Sequence, residues 1–229
     1  KYPYGKRFKV LPNGKKVEIW PKGKNATVLL STVHIYYTKS CGTSNKDYTP
    51  PMIDVYKNKK LHAEKYFITD LSKRIDALLK DKKVSKIEAN LVQNYSPCNG
   101  YPGYSGCVDD ILEFKEDIER KGVSFSLTIK FANFYKCYYK QGNDSWKKSQ
   151  NIDGLVKLLQ NGVTLQLLEG EQGWEEFFND EMFVEISEKN KTRLLEIATS
   201  EERIKREKVD KLILKYIETK ASSKPKRTK

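Results

Sequence analysis

The chain reads as an α/β protein, and three features carry that reading. Runs of β-branched and aromatic residues alternate with runs whose apolar residues fall at helical spacing. Glycines close two of the helical runs, at Gly122 and Gly162. A helical run lies between the strand-like segments 123–135 and 163–168, a connection that lets those two strands lie parallel.

The elements follow in order. "VLLSTVHIYY", residues 28–37, is β-branched and aromatic and predicts a strand, in which His34 is an ordinary strand residue. "SCGTSNKDYTPP" predicts a loop and "MIDVYKN" a second strand. From His62 the period changes: Phe67, Leu71, Ile75 and Leu78 share one face, which predicts a helix over 62–81. "SKIEANLVQNY", 85–95, predicts a strand. Ser105 is placed to cap the next helix, with Asp109 and Asp110 in its first turn beside the positive helix end. Ile111, Leu112 and Ile118 form its apolar face. "VSFSLTIKFANFY", 123–135, is the clearest strand, and a polar loop follows to about Gln150. "IDGLVKLLQNG" predicts a short helix, "VTLQLLEG" a strand and "GWEEFFNDEMF" another helix. Residues 184–218 predict a charged helical region carrying Leu194, Leu195, Ile204, Leu212 and Ile213.

The 229 residues suffice for one domain of ordinary size and an appendage. The formal net charge of +13 favours polyanionic partners over small neutral substrates. No apolar run is long enough to span a membrane, so no membrane partner is expected. Four cysteines are too few for a disulfide scaffold at this length. Asn-x-Ser/Thr motifs at Asn25, Asn94, Asn143 and Asn190 point weakly to secretion, while "KPKR" in the tail points to the nucleus. The location stays open between nucleus or cytoplasm, placed first, and secretion. Oligomeric state is not legible.

One stretch concentrates chemistry: "NYSPCNGYPGYSGC", residues 94–107, puts Cys98 and Cys107 at the two ends of a glycine-rich loop that runs into a helix. A helix start favours an ionised thiol at Cys107. His62 opens another helix, and Glu64 follows two residues later. His62, Cys98 and Cys107 make a three-ligand zinc set with a fourth position for water, and Glu64 stands where a carboxylate could shuttle that water's proton. The competing reading is a disulfide between Cys98 and Cys107, or free thiols, with His62 a plain helix-start residue. After residue 135, Tyr138, Tyr139 and Trp146 offer stacking surfaces, and Lys136, Lys140, Lys147 and Lys148 offer phosphate contacts, the pairing used by single-strand binders. A solvated loop with its aromatics tucked inward is the plainer alternative.

His-x-Glu followed by Pro-Cys and a second Cys resembles the zinc-dependent cytidine deaminases. "NYSPC", "LTIKFANFYKC" and "DGLVKLLQNGVTLQLLEGEQGWEEFF" are similar to segments of the AID/APOBEC-like polynucleotide deaminases, and the helical C-terminus is similar to that of the lamprey cytidine deaminases. The resemblance runs from about Lys24 to Phe183 and more weakly beyond. It implies the cytidine deaminase fold: a mixed five-stranded sheet flanked by about six helices. It implies a deaminase domain over 1–185, a helical extension over 186–218 and a disordered basic tail over 219–229.

It also implies conversion of cytosine to uracil in single-stranded DNA, with one Zn2+ per chain and a DNA-editing, mutator or innate-immune setting. RNA editing, deamination of free cytidine or deoxycytidine, and a non-catalytic zinc-stabilised nucleic-acid binder are the alternatives. Carried over by position, His62, Cys98 and Cys107 bind zinc and Glu64 is the general acid/base. Tyr95 forms a pocket wall, Ser96 keeps its place before Pro97, and Tyr135 packs on the cytosine. Asn25 and Thr27 lie near the target nucleotide, and Asn58 contacts its sugar. Lys136, Tyr138, Tyr139 and Trp146 belong to the loop that reads the preceding base. The eight residues between Cys98 and Cys107 exceed the family's usual spacer, which requires the extra residues to bulge outward.

Overall fold

The computed structural model describes residues 8–10, 16–18, 27–37, 47–48, 50–58, 60–81, 84–100, 105–135, 150–173, 192, 195–196 and 199–223. A small antiparallel pair, β1 (Phe8–Val10) and β2 (Lys16–Glu18), stands apart from the main sheet. The main sheet starts with β3 (Val28–Tyr37), the first β-branched run. Along one edge of β3 two strands lie in series. β4 (Asp47–Tyr48) pairs with Tyr36 and Tyr37, and β5 (Met52–Lys57) pairs with residues 28–33. β4 falls inside the stretch expected to be wholly loop. Along the other edge β3 pairs antiparallel with β6 (Val84–Tyr95). β7 (Ser124–Asn133) and β8 (Thr164–Leu167) continue the sheet parallel to β6. The sheet is therefore mixed and five strands wide, and the parallel pairing of β7 with β8 is as the intervening helix requires.

Strand alternation decides which face is apolar. Ile87, Ala89 and Leu91 of β6 lie in register with Ile35, Val33 and Ser31 of β3 and with Phe125, Leu127 and Ile129 of β7. Against this face pack α1 (Ala63–Asp81), α2 (Cys107–Arg120) and α3 (Gln150–Gln160). Phe67 of α1, Phe114 of α2 and Phe125 of β7 meet edge to face at 6.3 and 5.4 Å, each such pair contributing about 0.5–1.5 kcal/mol beyond its buried area. Gly122 and Gly162 end α2 and α3 at positive φ, and each lets the next residue's N–H return to the last turn (Val123 to Ile118, Val163 to Leu158).

One expectation is corrected here. Gly106, not Ser105, is the N-cap of α2, and it makes no side-chain cap. The Ser105 hydroxyl instead accepts from Lys65 Nζ at 3.2 Å. In the C-terminal helix α4 (Glu201–Ser222), Ile204 and Leu212 are exposed, and the docked face carries Ile213 and Ile217 together with buried Arg203, Glu207 and Asp210. Several of these polar groups find partners. Arg203 donates to Ala132 O at 2.8 Å, Leu168 O at 3.3 Å and Asn133 Oδ1 at 3.1 Å, and Glu207 accepts from Gly170 N at 3.0 Å. Ile213 and Ile217 join the same core as the sheet. No helix among the described residues is long and apolar enough to cross a membrane.

Candidate active site

The carboxyl ends of parallel strands and the amino ends of the helices that follow them converge at one end of the sheet, the usual place for a ligand in such layers. The start of α1 is fixed by Asn58, whose Oδ1 accepts from Ala63 N at 2.7 Å, while Asn58 N donates to Thr27 O at 3.0 Å. His62 sits at this start, its carbonyl taking the N–H groups of Lys65 and Tyr66. The start of α2 is tied to the loop after β6, since Val108 N donates to Cys98 O at 3.1 Å. Gly106 is required by close approach: a Cβ there would lie 2.1 Å from Gly100 N and 2.7 Å from Cys98 O. Lys65 pairs with Asp110 at 3.0 Å and Lys157 with Asp109 at 2.9 Å, so α2 is held to both neighbouring helices beside the site.

These restraints bring the three expected ligands together. His62 Nδ1 lies 3.1 Å from Cys107 Sγ and 3.3 Å from Cys98 Sγ, and the two sulfurs are 3.5 Å apart. Both cysteines are free thiols, so the disulfide reading is not realised. The long spacer leaves the ligands in place, as the resemblance requires. Tetrahedral zinc bonds of about 2.0–2.3 Å set such donors roughly 3.5–3.8 Å apart, and the observed triangle lies within a few tenths of an ångström of that. The donor set therefore fits zinc, with a fourth position for water.

Electrostatics single out the same residues. The hydrogen bond between the thiols, with His62 adding, holds Cys98 down to about 6 against its burial, and the same bond with burial pushes Cys107 up. Glu64, 3% exposed, has its carboxyl raised to about 7, first by burial and then by the charge on Cys98. Glu64 Oε2 has no hydrogen-bond partner among the described residues, although an unpaired buried carboxylate oxygen is costly.

The two tyrosines expected to line a pocket pack on each other. Tyr95 and Tyr135 meet edge to face with centroids 6.2 Å apart. Ser96 is buried, its N–H donating to Asn133 O and its hydroxyl accepting from Tyr135 N at 3.0 Å, so it fixes the backbone at Tyr135. Sequence reasoning read Asn94 only as a glycosylation motif and missed its structural part: its buried Oδ1 accepts from Val28 N at 3.0 Å. It also missed Asn133 and Asn151, which the 2- and 3.6-residue periods do not mark. Asn25, Cys41, Lys136, Cys137, Tyr138, Tyr139, Asn143, Trp146 and Asn190 lie outside the described residues.

No family model matches the sequence, and no curated protein does. Among solved structures the chain is similar to a diaminohydroxyphosphoribosylaminopyrimidine deaminase/5-amino-6-(5-phosphoribosylamino)uracil reductase from Thermotoga maritima, at 17% identity and a TM-score of 0.31. That likeness covers 69% of this chain and 31% of the other, so this chain spans about a third of that protein's length. It is also similar to the Rib2 deaminase of Aspergillus oryzae, in complex with DARIPP at 17% identity and a TM-score of 0.38, covering 68% of this chain and 79% of that one. A second structure of that deaminase gives 17% identity, a TM-score of 0.36 and coverages of 73% and 86%.

Proposed function

We propose that the chain is a hydrolytic deaminase that converts cytosine to uracil in single-stranded polynucleotide, DNA before RNA. One observation carries this reading: a buried carboxyl, Glu64, with an oxygen lacking a partner among the described residues, beside a His/Cys/Cys triangle of zinc dimensions. A purely structural zinc site needs no such group. Zinc held by His62, Cys98 and Cys107 would supply a water whose pKa is lowered towards neutrality.

Glu64 moves the protons. As that water adds to C4, Glu64 would take one of its protons and pass it to N3. The C4–N4 bond then breaks as Glu64 gives the second proton to the leaving amine, so ammonia departs and uracil remains. A carboxyl lifted to about 7 by burial is suited to take and return a proton near neutral pH. Tyr95 and Tyr135 supply the walls against which the base lies, with Thr27 and Asn58 at the rim beside the start of α1.

The polynucleotide part of the reading rests on the net charge of +13 and on the basic, aromatic sequence after Tyr135. The test is incubation of the purified protein with pools of random single-stranded DNA, single-stranded RNA and duplex DNA, followed by sequencing for C-to-U changes, together with free deoxycytidine. Conversion of single-stranded DNA well above duplex, falling steeply with salt, is expected, because flipping a paired base costs a few kcal/mol. Equal rates on duplex and single strand, or activity on free deoxycytidine with a flat salt profile, would overturn the polynucleotide assignment.

A further inference from the structure

Asn151 stands in the first turn of α3, 8% exposed, and spends its side chain on two other parts of the chain. Its Oδ1 accepts from Asn99 N at 2.9 Å, the peptide directly after the ligand Cys98. Its Nδ2 donates to Tyr135 O at 2.9 Å, the residue that forms the aromatic wall. Ser96 Oγ takes the other side of the same residue, accepting from Tyr135 N at 3.0 Å. Tyr135 is therefore clamped at both its N–H and its C=O. The α3 backbone also abuts the ligand loop: a Cβ at Gly154 would lie 2.8 Å from Cβ, Cγ and Oδ1 of Asn99. An amide is the one small side chain that donates on one side and accepts on the other, and both partners here are main-chain groups that do not move independently of their elements.

The geometry points to Asn151 as a positioning residue that sets the aromatic wall at a fixed distance from the metal ligands. This rests on the deaminase reading for its effect on substrate, and on the metal site alone for its effect on zinc. Asn151 touches neither zinc nor base. It acts through Asn99 on the Cys98 loop and through the Tyr135 carbonyl on the wall.

The two halves separate by substitution. Asn151→Asp keeps an acceptor for Asn99 N and turns the donor facing Tyr135 O into a second acceptor, which breaks only the wall contact. Asn151→Ala breaks both. Leu158→Ala, in the same helix but in the core, serves as a control for lost stability. Zinc-loaded proteins are measured for metal release to a chelator, for Asn99 amide exchange, and for KM and kcat on a single-stranded oligonucleotide.

Asn151→Asp should release zinc within about twofold of wild type and raise KM about tenfold, the effect of one uncompensated buried hydrogen bond. Its kcat should stay within about threefold of wild type, because Glu64 is untouched. Asn151→Ala should show the same rise in KM and also release zinc about tenfold faster, with Asn99 exchange unprotected. Leu158→Ala should lower the melting temperature without either change. Equal metal release from the Asp and Ala variants, or the same pattern from Leu158→Ala, would overturn the inference. If the wild type converts no cytosine, the deaminase reading fails, and the order of metal release among the three variants still upholds or overturns the clamp.

Discussion

Replacing Glu64 by Gln keeps the volume of the side chain and removes its ability to carry a proton. General acid/base groups contribute about 10²–10⁴-fold, or roughly 3–5 kcal/mol of barrier, so conversion of a single-stranded oligonucleotide should fall by at least that order. Zinc content should not change, since the ligand atoms belong to His62, Cys98 and Cys107. The same variant has a stability signature in metal-stripped protein. Burial raises Glu64 from its ordinary 4.5 to about 7, which at about 1.4 kcal/mol per pH unit corresponds to about 3 kcal/mol. Below pH 4.5 both folded and unfolded chains hold the proton. Between there and about pH 7 the unfolded chain releases a proton that the folded chain keeps, so the wild type loses stability as pH rises. Above about 7 the loss is complete and constant. The variant lacks this slope. Urea unfolding of the two stripped proteins at pH 4.5, 6 and 8 should therefore show Glu64→Gln gaining relative stability with pH, by up to about 3 kcal/mol. A difference that stays flat with pH would refute the burial argument. A variant that deaminates within tenfold of wild type would refute the proton-shuttle role.

Two further outcomes are expected. Arg203→Ala leaves Ala132 O, Leu168 O and Asn133 Oδ1 without their buried donor and should cost about 3 kcal/mol in urea unfolding, and Arg203→Lys should not restore it, because an ammonium cannot span the fork. Cys107→Ala, at a fully buried position, should purify without zinc by elemental analysis, and retained stoichiometric zinc would remove Cys107 from the ligand set.

The sequence by itself determined the longer elements and pointed to the candidate ligands. Periods of 2 and 3.6 are local, so β3, β6, β7, α1, α2 and α3 are legible from residues a few places apart, and the glycines at 122 and 162 mark the ends of α2 and α3 by conformation alone. His62, Glu64, Cys98 and Cys107 are legible for another reason: few residue types bind zinc or move protons, and this chain has only two histidines and four cysteines. What only the tertiary structure decided is how these parts are held. Asn94 meets Val28 across 66 residues, Asn151 meets Asn99 across 52, and Arg203 meets Asn133 across 70. Nothing near Asn151 in the chain distinguishes it from a solvated helix-start residue. The docked face of α4 is not legible for the same reason, since Ile204 and Leu212 fit a helical stripe as well as Ile213 and Ile217 do. Which stripe docks is settled by where Arg203 finds carbonyl oxygens to satisfy, and those oxygens belong to the ends of β7 and β8, which become neighbours only when the sheet has formed.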